Sequence, residues 1–200
     1  MGQPRGHIVS VDGLWHIGKS AVCRVLARLC PTAVYLQEPD HIQIVNSIGD
    51  IELWYLIAWR KRMELASAHK RRHSLVILER SFFSTLAYLK ARNMKISDQM
   101  EKCLEFLKQN LPDQVILLEV PIDYYAGLSE FEIEAYKKSG VFLDDRTFLS
   151  DYWSALKAVI ERYDVPSVLI QARTADQSFD PGIVANHVIE ALRRIGVLSS

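Results

Sequence analysis

A three-layer α/β fold built on a central parallel five-stranded sheet is predicted by three observations in this 200-residue chain. Short runs rich in Val, Ile and Leu alternate with longer helical patterns. Most of these runs are apolar throughout rather than alternating apolar with polar, as strands buried on both faces are. The first run feeds a glycine-bounded loop and then an amphipathic helix, which is a complete strand–loop–helix unit. Short strands joined by helices require right-handed crossovers, and these place helices on both faces of the sheet.

The elements follow in order along the chain. His7-Ile8-Val9-Ser10-Val11 is the first strand. Val22, Val25, Leu26 and Leu29 mark the first helix, which Pro31 closes because proline cannot continue it. Ala33-Val34-Tyr35-Leu36 is the second strand, and an amphipathic stretch from about Ile51 to His69 is the next helix. Leu75-Val76-Ile77-Leu78, Val115-Ile116-Leu117-Leu118 and Ser167-Val168-Leu169-Ile170 are the remaining strands, with a helix from about Thr147 to Tyr163 before the last. The polar segment Leu128 to Ser139 breaks the pattern. It reads equally as an ordinary solvated helix or as a mobile lid within residues 124–146. No repeat or Gly/Ser linker divides the chain, so residues 1–200 are expected to form one domain.

Composition narrows the function classes. Hydrophobic residues make up 49% of the chain and the formal net charge is zero, so there is material for a large core and no field to attract long polyanions. The cluster His69-Lys70-Arg71-Arg72-His73 suits a helix C-terminus better than a nucleic-acid surface, since cations complement the helix dipole there and no aromatics interleave it. Cys23, Cys30 and Cys103 have no metal-binding or redox spacing, and the first two are expected to pack within the first helix. Neither a signal-peptide core nor a membrane-length apolar run is evident, so a soluble cytoplasmic protein with no nucleic-acid or membrane partner is expected.

Gly13-Leu14-Trp15-His16-Ile17-Gly18-Lys19-Ser20 has the form G-x-x-x-x-G-K-S, the phosphate-binding loop. Its glycines let backbone N–H groups converge on phosphate oxygens, and the segment through Ala21 is the expected ATP site. Lys19 supplies a charge for the β- and γ-phosphates, and the Ser20 hydroxyl can ligate Mg²⁺. In open α/β sheets ligands bind beyond the carboxyl ends of the strands. That rule selects Asp12, Gln37-Glu38-Pro39-Asp40 and Glu79-Arg80-Ser81. Carboxylates there can hold Mg²⁺ through water or accept a hydroxyl proton, which makes Glu38 and Glu79 candidates. Arg80 can neutralise phosphoryl oxygens with its planar fork of donors. Asp12 reads as functional or as a brace for the loop. Arg60, within Trp54-Tyr55-Leu56-Ile57-Ala58-Trp59-Arg60, either snorkels or reaches into a cleft.

From about Ile8 to Ala172 this ordered set resembles the thymidylate kinase family of P-loop kinases, and more distantly the deoxynucleoside kinases. The matching segments are the loop, Gln37-Glu38-Pro39, Ala58-Trp59-Arg60, Glu79-Arg80-Ser81-Phe82-Phe83-Ser84-Thr85-Leu86-Ala87-Tyr88 and Asp145-Arg146. The resemblance implies a P-loop kinase fold with a helical lid, and ATP and Mg²⁺ as cofactors. It implies a small nucleotide substrate, and admits a homodimer. Lys19, Ser20 and the loop amides would hold the ATP phosphates, with Ser20 and Glu79 at the metal. Arg60 and Arg80 would hold the acceptor phosphate or the transferred group, and Ser84 and Tyr88 would line the acceptor pocket. The chain departs from the family at Gln37, at the bulky interior Leu14-Trp15-His16-Ile17, at Leu89, and in having Lys137 and Lys138 but no arginine in the lid before Arg146. The expected reaction is transfer of the ATP γ-phosphoryl group to a nucleoside monophosphate such as dTMP. The alternatives are a deoxynucleoside kinase with Glu38 as base, and a nucleotide-binding module with little catalysis.

Overall fold

A computed structural model describes residues 6–39, 50–138, 140–173 and 178–198. Five parallel strands form one sheet: β1 (His7–Gly13), β2 (Ala33–Leu36), β3 (Leu75–Glu79), β4 (Gln114–Glu119) and β5 (Ser167–Gln171). Their order is β2-β3-β1-β4-β5, with Val11 opposite both Glu79 and Ile116, so the carboxyl ends of β1, β3 and β4 share one edge. The three inner strands are buried along almost their whole length. The outer strands are not: β2 is half-buried, and β5 exposes Ser167, Leu169 and Gln171. The apolar run of β5 therefore lies at an open sheet edge rather than between two helical layers.

Seven helices are described: α1 (Lys19–Leu29), α2 (Ile51–His69), α3 (Phe82–Ala91), α4 (Asp98–Gln109), α5 (Glu130–Lys137), α6 (Arg146–Arg162) and α7 (Pro181–Arg194), with a 3-10 helix at Ile122–Gly127. α1 packs on α7, while α2 packs on α4 and α3, and α3 on α6. Helix propensity matters less here than the burial of one stripe per helix. In α4 that stripe is Met100, Leu104 and Leu107, and in α7 it centres on Val184, Val188 and Leu192. α3 has no such stripe, because seven of its residues from Phe82 to Leu89 are buried.

The basic cluster lies at the end of α2, where Lys70 contacts both Asp113 carboxylate oxygens at 2.7 Å. Cys23 is buried inside α1, whereas Cys30 caps its end and is half-buried, and all three cysteines are free thiols. The polar segment contains α5, which buries no residue; Ser139, at its end, lies outside the described residues, as does Asp40. No helix among the described residues is long and apolar enough to cross a membrane.

Candidate active site

The shared edge of β1, β3 and β4 opens into a cavity of about 720 Å³, within the range of small-molecule sites. Three groups of residues line it. The phosphate loop contributes Trp15 through Ala21, the strand ends contribute Glu38, Glu79 and Arg80, and α2 and α3 contribute Tyr55, Trp59, Ser84, Thr85 and Tyr88.

The loop keeps its shape because glycine occupies its two tightest points. Gly13 has φ 149°, and a Cβ there would lie 2.5 Å from the Leu118 carbonyl oxygen. Gly18 has φ 87°, and a Cβ would lie 2.1 Å from the Phe179 ring. The helix that follows is open at its start. The other six described helices accept a backbone N–H on an N-cap side chain: Asp50, Ser81, Ser97, Ser129, Asp145 or Asp180. α1 begins on Gly18 with no side-chain cap and no acidic residue in its first turn. Its uncapped N–H groups and dipole are suited to an anion.

Charge is concentrated where this anion would sit. Lys19 is 6% exposed and its ammonium donates to the Leu14 carbonyl. Burial first, and the neighbouring Arg80 charge second, lower its pKa to about 7 against the pull of Glu38, Glu79 and Asp12. Glu79 accepts hydroxyl hydrogen bonds from Ser20 on one oxygen and Tyr35 on the other. Burial opposes its charge, but those two bonds and Lys19 outweigh it and hold the pKa below the ordinary range. Arg80 is 2% exposed, with φ 60°. Its Nε donates to Glu38 at 3.1 Å, and Nη1 donates to the Gly13 carbonyl at 2.8 Å and to the Tyr152 hydroxyl at 3.2 Å. Trp15 lies over its guanidinium at 5.0 Å. Burial disfavours the Arg80 charge, yet the charges of Glu38 first, and then Tyr152, Asp12 and Glu79, keep its pKa above the ordinary value.

The structure brings Lys19, Ser20, Glu38, Glu79, Arg80, Ser84 and Tyr88 to one cavity. It gives two of them further partners. Ser84 donates to Asp12 at 2.7 Å, and the Tyr88 hydroxyl donates to the Gly140 carbonyl at 3.2 Å. Asp12 is a brace. Fully buried, it accepts from the Ser81 N–H at 3.1 Å and hydroxyl at 3.0 Å, tying the end of β1 to the turn that carries Arg80.

Arg60 is a correction, because it lies outside the cavity. Its side chain is exposed, 3.1 Å from Glu64 and 4.8 Å over the Phe106 ring on α4. There the half-exposed guanidinium itself lies on an aromatic face, a cation–π contact at the surface. The inward-facing arginine of α2 is Arg62, which donates to the Leu36 and Glu79 carbonyls at 2.6 and 3.1 Å and so ties α2 to the ends of β2 and β3. Arg60 and Arg62 flank the buried stripe Leu56, Trp59, Met63 and Ala66 on opposite edges. Periodicity locates the stripe but does not say which edge meets the sheet.

The cavity also holds residues that the motif analysis passes over: Arg24, Tyr136, Arg173 and Phe179. Arg173 could have been found by the strand-end rule that selected Glu38, because it stands two residues beyond β5. Tyr136 lies in α5, whose Glu132 meets His16 of the loop at 3.1 Å.

The depressed Lys19 pKa has two consequences. Between pH 7 and 10.5 the unfolded chain binds this proton and the folded one does not, so Lys19's contribution to stability rises with pH across that window and its full penalty applies below about 7. An anion on the loop favours the charged form. Binding of ADP at pH 8 is therefore expected to take up about one proton. Titration calorimetry in two buffers of different ionisation enthalpy measures this, and identical heats in both would contradict it.

The fold and this site are similar to those of P-loop kinases. No protein-family model matches the chain. A thymidylate kinase from Aliarcobacter butzleri is 25% identical over 176 residues, covering 82% of this chain and 89% of that protein. The solved thymidylate kinase of Ehrlichia chaffeensis superimposes with a TM-score of 0.65 at 14% identity, covering 94% of this chain and 100% of that one. The deoxyadenosine kinase of M. mycoides, solved with dCMP and dCDP, gives 0.59 at 15% identity over 94% of this chain and 99% of its own. The solved structures establish the fold. The sequence relative adds that the chain is similar to a thymidylate kinase along most of its length.

Proposed function

We propose that this chain transfers the γ-phosphoryl group of ATP to a pyrimidine nucleoside monophosphate such as dTMP, with a lid lying within residues 124–146. The reading is carried by one observation: the phosphate loop, Glu79 and Arg80 open into the same cavity as Tyr55, Trp59 and Tyr88, so that phosphates and a base can be held together. The named thymidylate kinase relative supports the acceptor. Such transfer depends mainly on positioning and charge neutralisation. Lys19 and the loop amides would bind the donor phosphates, and Arg80 would neutralise charge on the transferred group.

The side chains fit Mg²⁺ held largely by phosphate and water oxygens. Among the described residues no cluster of three or more His, Cys, Asp or Glu side chains forms a protein cage. Ser20 and Glu79 are already paired beside the loop, and this sparse set suits Mg²⁺. When bound, the ion would supply positive charge to neutralise the phosphate oxygens.

A second reading, a nucleoside acceptor, draws on the outward position of Arg60 and the inward one of Glu38. A hydroxyl acceptor needs a base within hydrogen-bond reach, whereas a phosphate is already ionised. Assays with ATP and a panel of nucleosides and monophosphates, on wild type and Glu38→Gln, separate the two. The main reading expects turnover of a monophosphate and a loss of less than about tenfold in Glu38→Gln. A nucleoside acceptor expects a loss of roughly 10²–10⁴ in that variant. Arg60→Ala is expected to stay within about twofold of wild type, as a solvated residue should. Turnover of no monophosphate would overturn the main reading.

A further inference from the structure

Four consecutive carbonyls of the phosphate loop are each held by a side-chain donor. Gly13 accepts from Arg80 and Leu14 from Lys19. Trp15 accepts from the Tyr125 hydroxyl at 2.6 Å, and His16 from the Tyr124 hydroxyl at 3.1 Å. Arg80 and Lys19 belong to the site already described. The tyrosines do not: they come from the 3-10 helix after β4, more than a hundred residues away in sequence.

The two are placed differently. Tyr125 is 2% exposed, and burial, with Tyr124 beside it, pushes its phenol well above the ordinary value, so it remains a donor. Tyr124 is half-buried between two loops. Its hydroxyl accepts from Arg173 Nη2 at 2.9 Å while donating to His16, and the Arg173 guanidinium lies 4.0 Å over its ring. A peptide whose carbonyl is anchored outward turns its neighbouring N–H groups the other way, and a run of such N–H groups forms an anion nest. His16 sits at φ 57°, a left-handed conformation unfavourable for a side-chain-bearing residue, so this part of the loop requires support from outside.

We propose that Tyr124 and Tyr125 are positioning residues that hold the phosphate loop in its anion-binding conformation before nucleotide arrives. Tyr124 also couples the loop to Arg173 and so to the segment after β5. This rests on the reading of the loop as a nucleotide site. It accounts for the bulky loop interior, since a loop carrying Trp15 and His16 is held at their backbone rather than by a small, close-packed interior.

The test uses the full-length protein with Tyr124→Phe, Tyr125→Phe and the double variant, each of which keeps the ring and removes only the hydroxyl. ADP affinity is expected to fall roughly threefold in each single variant and about tenfold in the double, as the loss of a net hydrogen bond implies. KM for ATP should rise while KM for the acceptor is unchanged, a split that general loosening of the fold would not produce. Amide exchange of the unliganded double variant should quicken within residues 14–17. If the double variant does not fold, Tyr124→Phe carries the test, because its hydroxyl is the less buried. Wild-type protein that binds no ADP would remove the nucleotide-site reading and this proposal with it. Wild-type binding with a double variant inside twofold would overturn this proposal alone.

Discussion

Lys19→Ala should keep its fold and lose about 10²–10³ in turnover. The ammonium faces the loop, where burial and Arg80 already bring its pKa to about 7. A group desolvated to that extent is costly to charge until a phosphate arrives, so its interaction is gained largely when ligand is bound. Loss of one electrostatic contact of this kind costs about 3–4 kcal/mol in the transition state. The folded state loses little. Its one hydrogen bond is to the Leu14 carbonyl, which Arg80 Nη2 also approaches at 3.4 Å, and the penalty of burying the ammonium disappears with it. A melting temperature within a few degrees of wild type, together with lost turnover, is the expected pair of results. Full activity would mean that the loop does not bind the transferred phosphates.

Arg80→Ala should instead damage both stability and activity. Arg80 is the joint between Glu38 after β2, the turn after β3, the Gly13 carbonyl ending β1, and Tyr152 on α6. Its removal leaves the Gly13 carbonyl and the Tyr152 hydroxyl short of a partner, and Glu38 without its counter-charge. Only Arg80 is deeply buried in this pair, Glu38 being 30% exposed, so the ion pair and the orphaned Gly13 and Tyr152 groups together are expected to cost about 3–5 kcal/mol. At about 2–4 °C per kcal/mol for a chain of this size, the melting temperature should fall by roughly 6–20 °C. Turnover measured below the variant's own transition should still fall at least about 100-fold, because the charge facing the transferred group is gone. Arg80→Lys keeps the charge but loses the fork, and should lie between. A melting temperature within about 2 °C of wild type would show that the joint is dispensable.

These two residues were found by different means. Lys19 is named by its motif, whose spacing places it at the start of a helix in any chain that folds there. Arg80 is named by its place at a strand's end and by the segment that carries the family resemblance, and its buried environment comes from partners up to 72 residues away. The strands were legible because each is a short, mostly apolar run between helical patterns, and all five appear within a residue or two of their expected bounds. The α2 boundaries were legible for a similar reason, since Asp50 caps the start and the basic cluster marks the end. α4 and α7 lie where no helix was expected, although Ser97 and Asp180 cap them and each buries one stripe. α3 carries almost no such signal, because a helix buried nearly all round has no amphipathic period.

The sequence by itself determined the sheet, the phosphate loop and the strand ends that would face it. Each of these follows from local patterns: apolar runs, glycines at fixed spacing and the parallel βαβ rule. Only the tertiary structure decided which side chains occupy the cavity. It turned Arg60 outward onto Phe106 and Arg62 inward onto strand carbonyls, made Asp12 a brace, and brought Arg173, Tyr124 and Tyr125 to the loop. The physical reason is the same in each case. A hydrogen-bond partner a hundred residues away leaves no mark on the local pattern, and a helix's periodicity defines its buried stripe without defining what either edge of that stripe will meet.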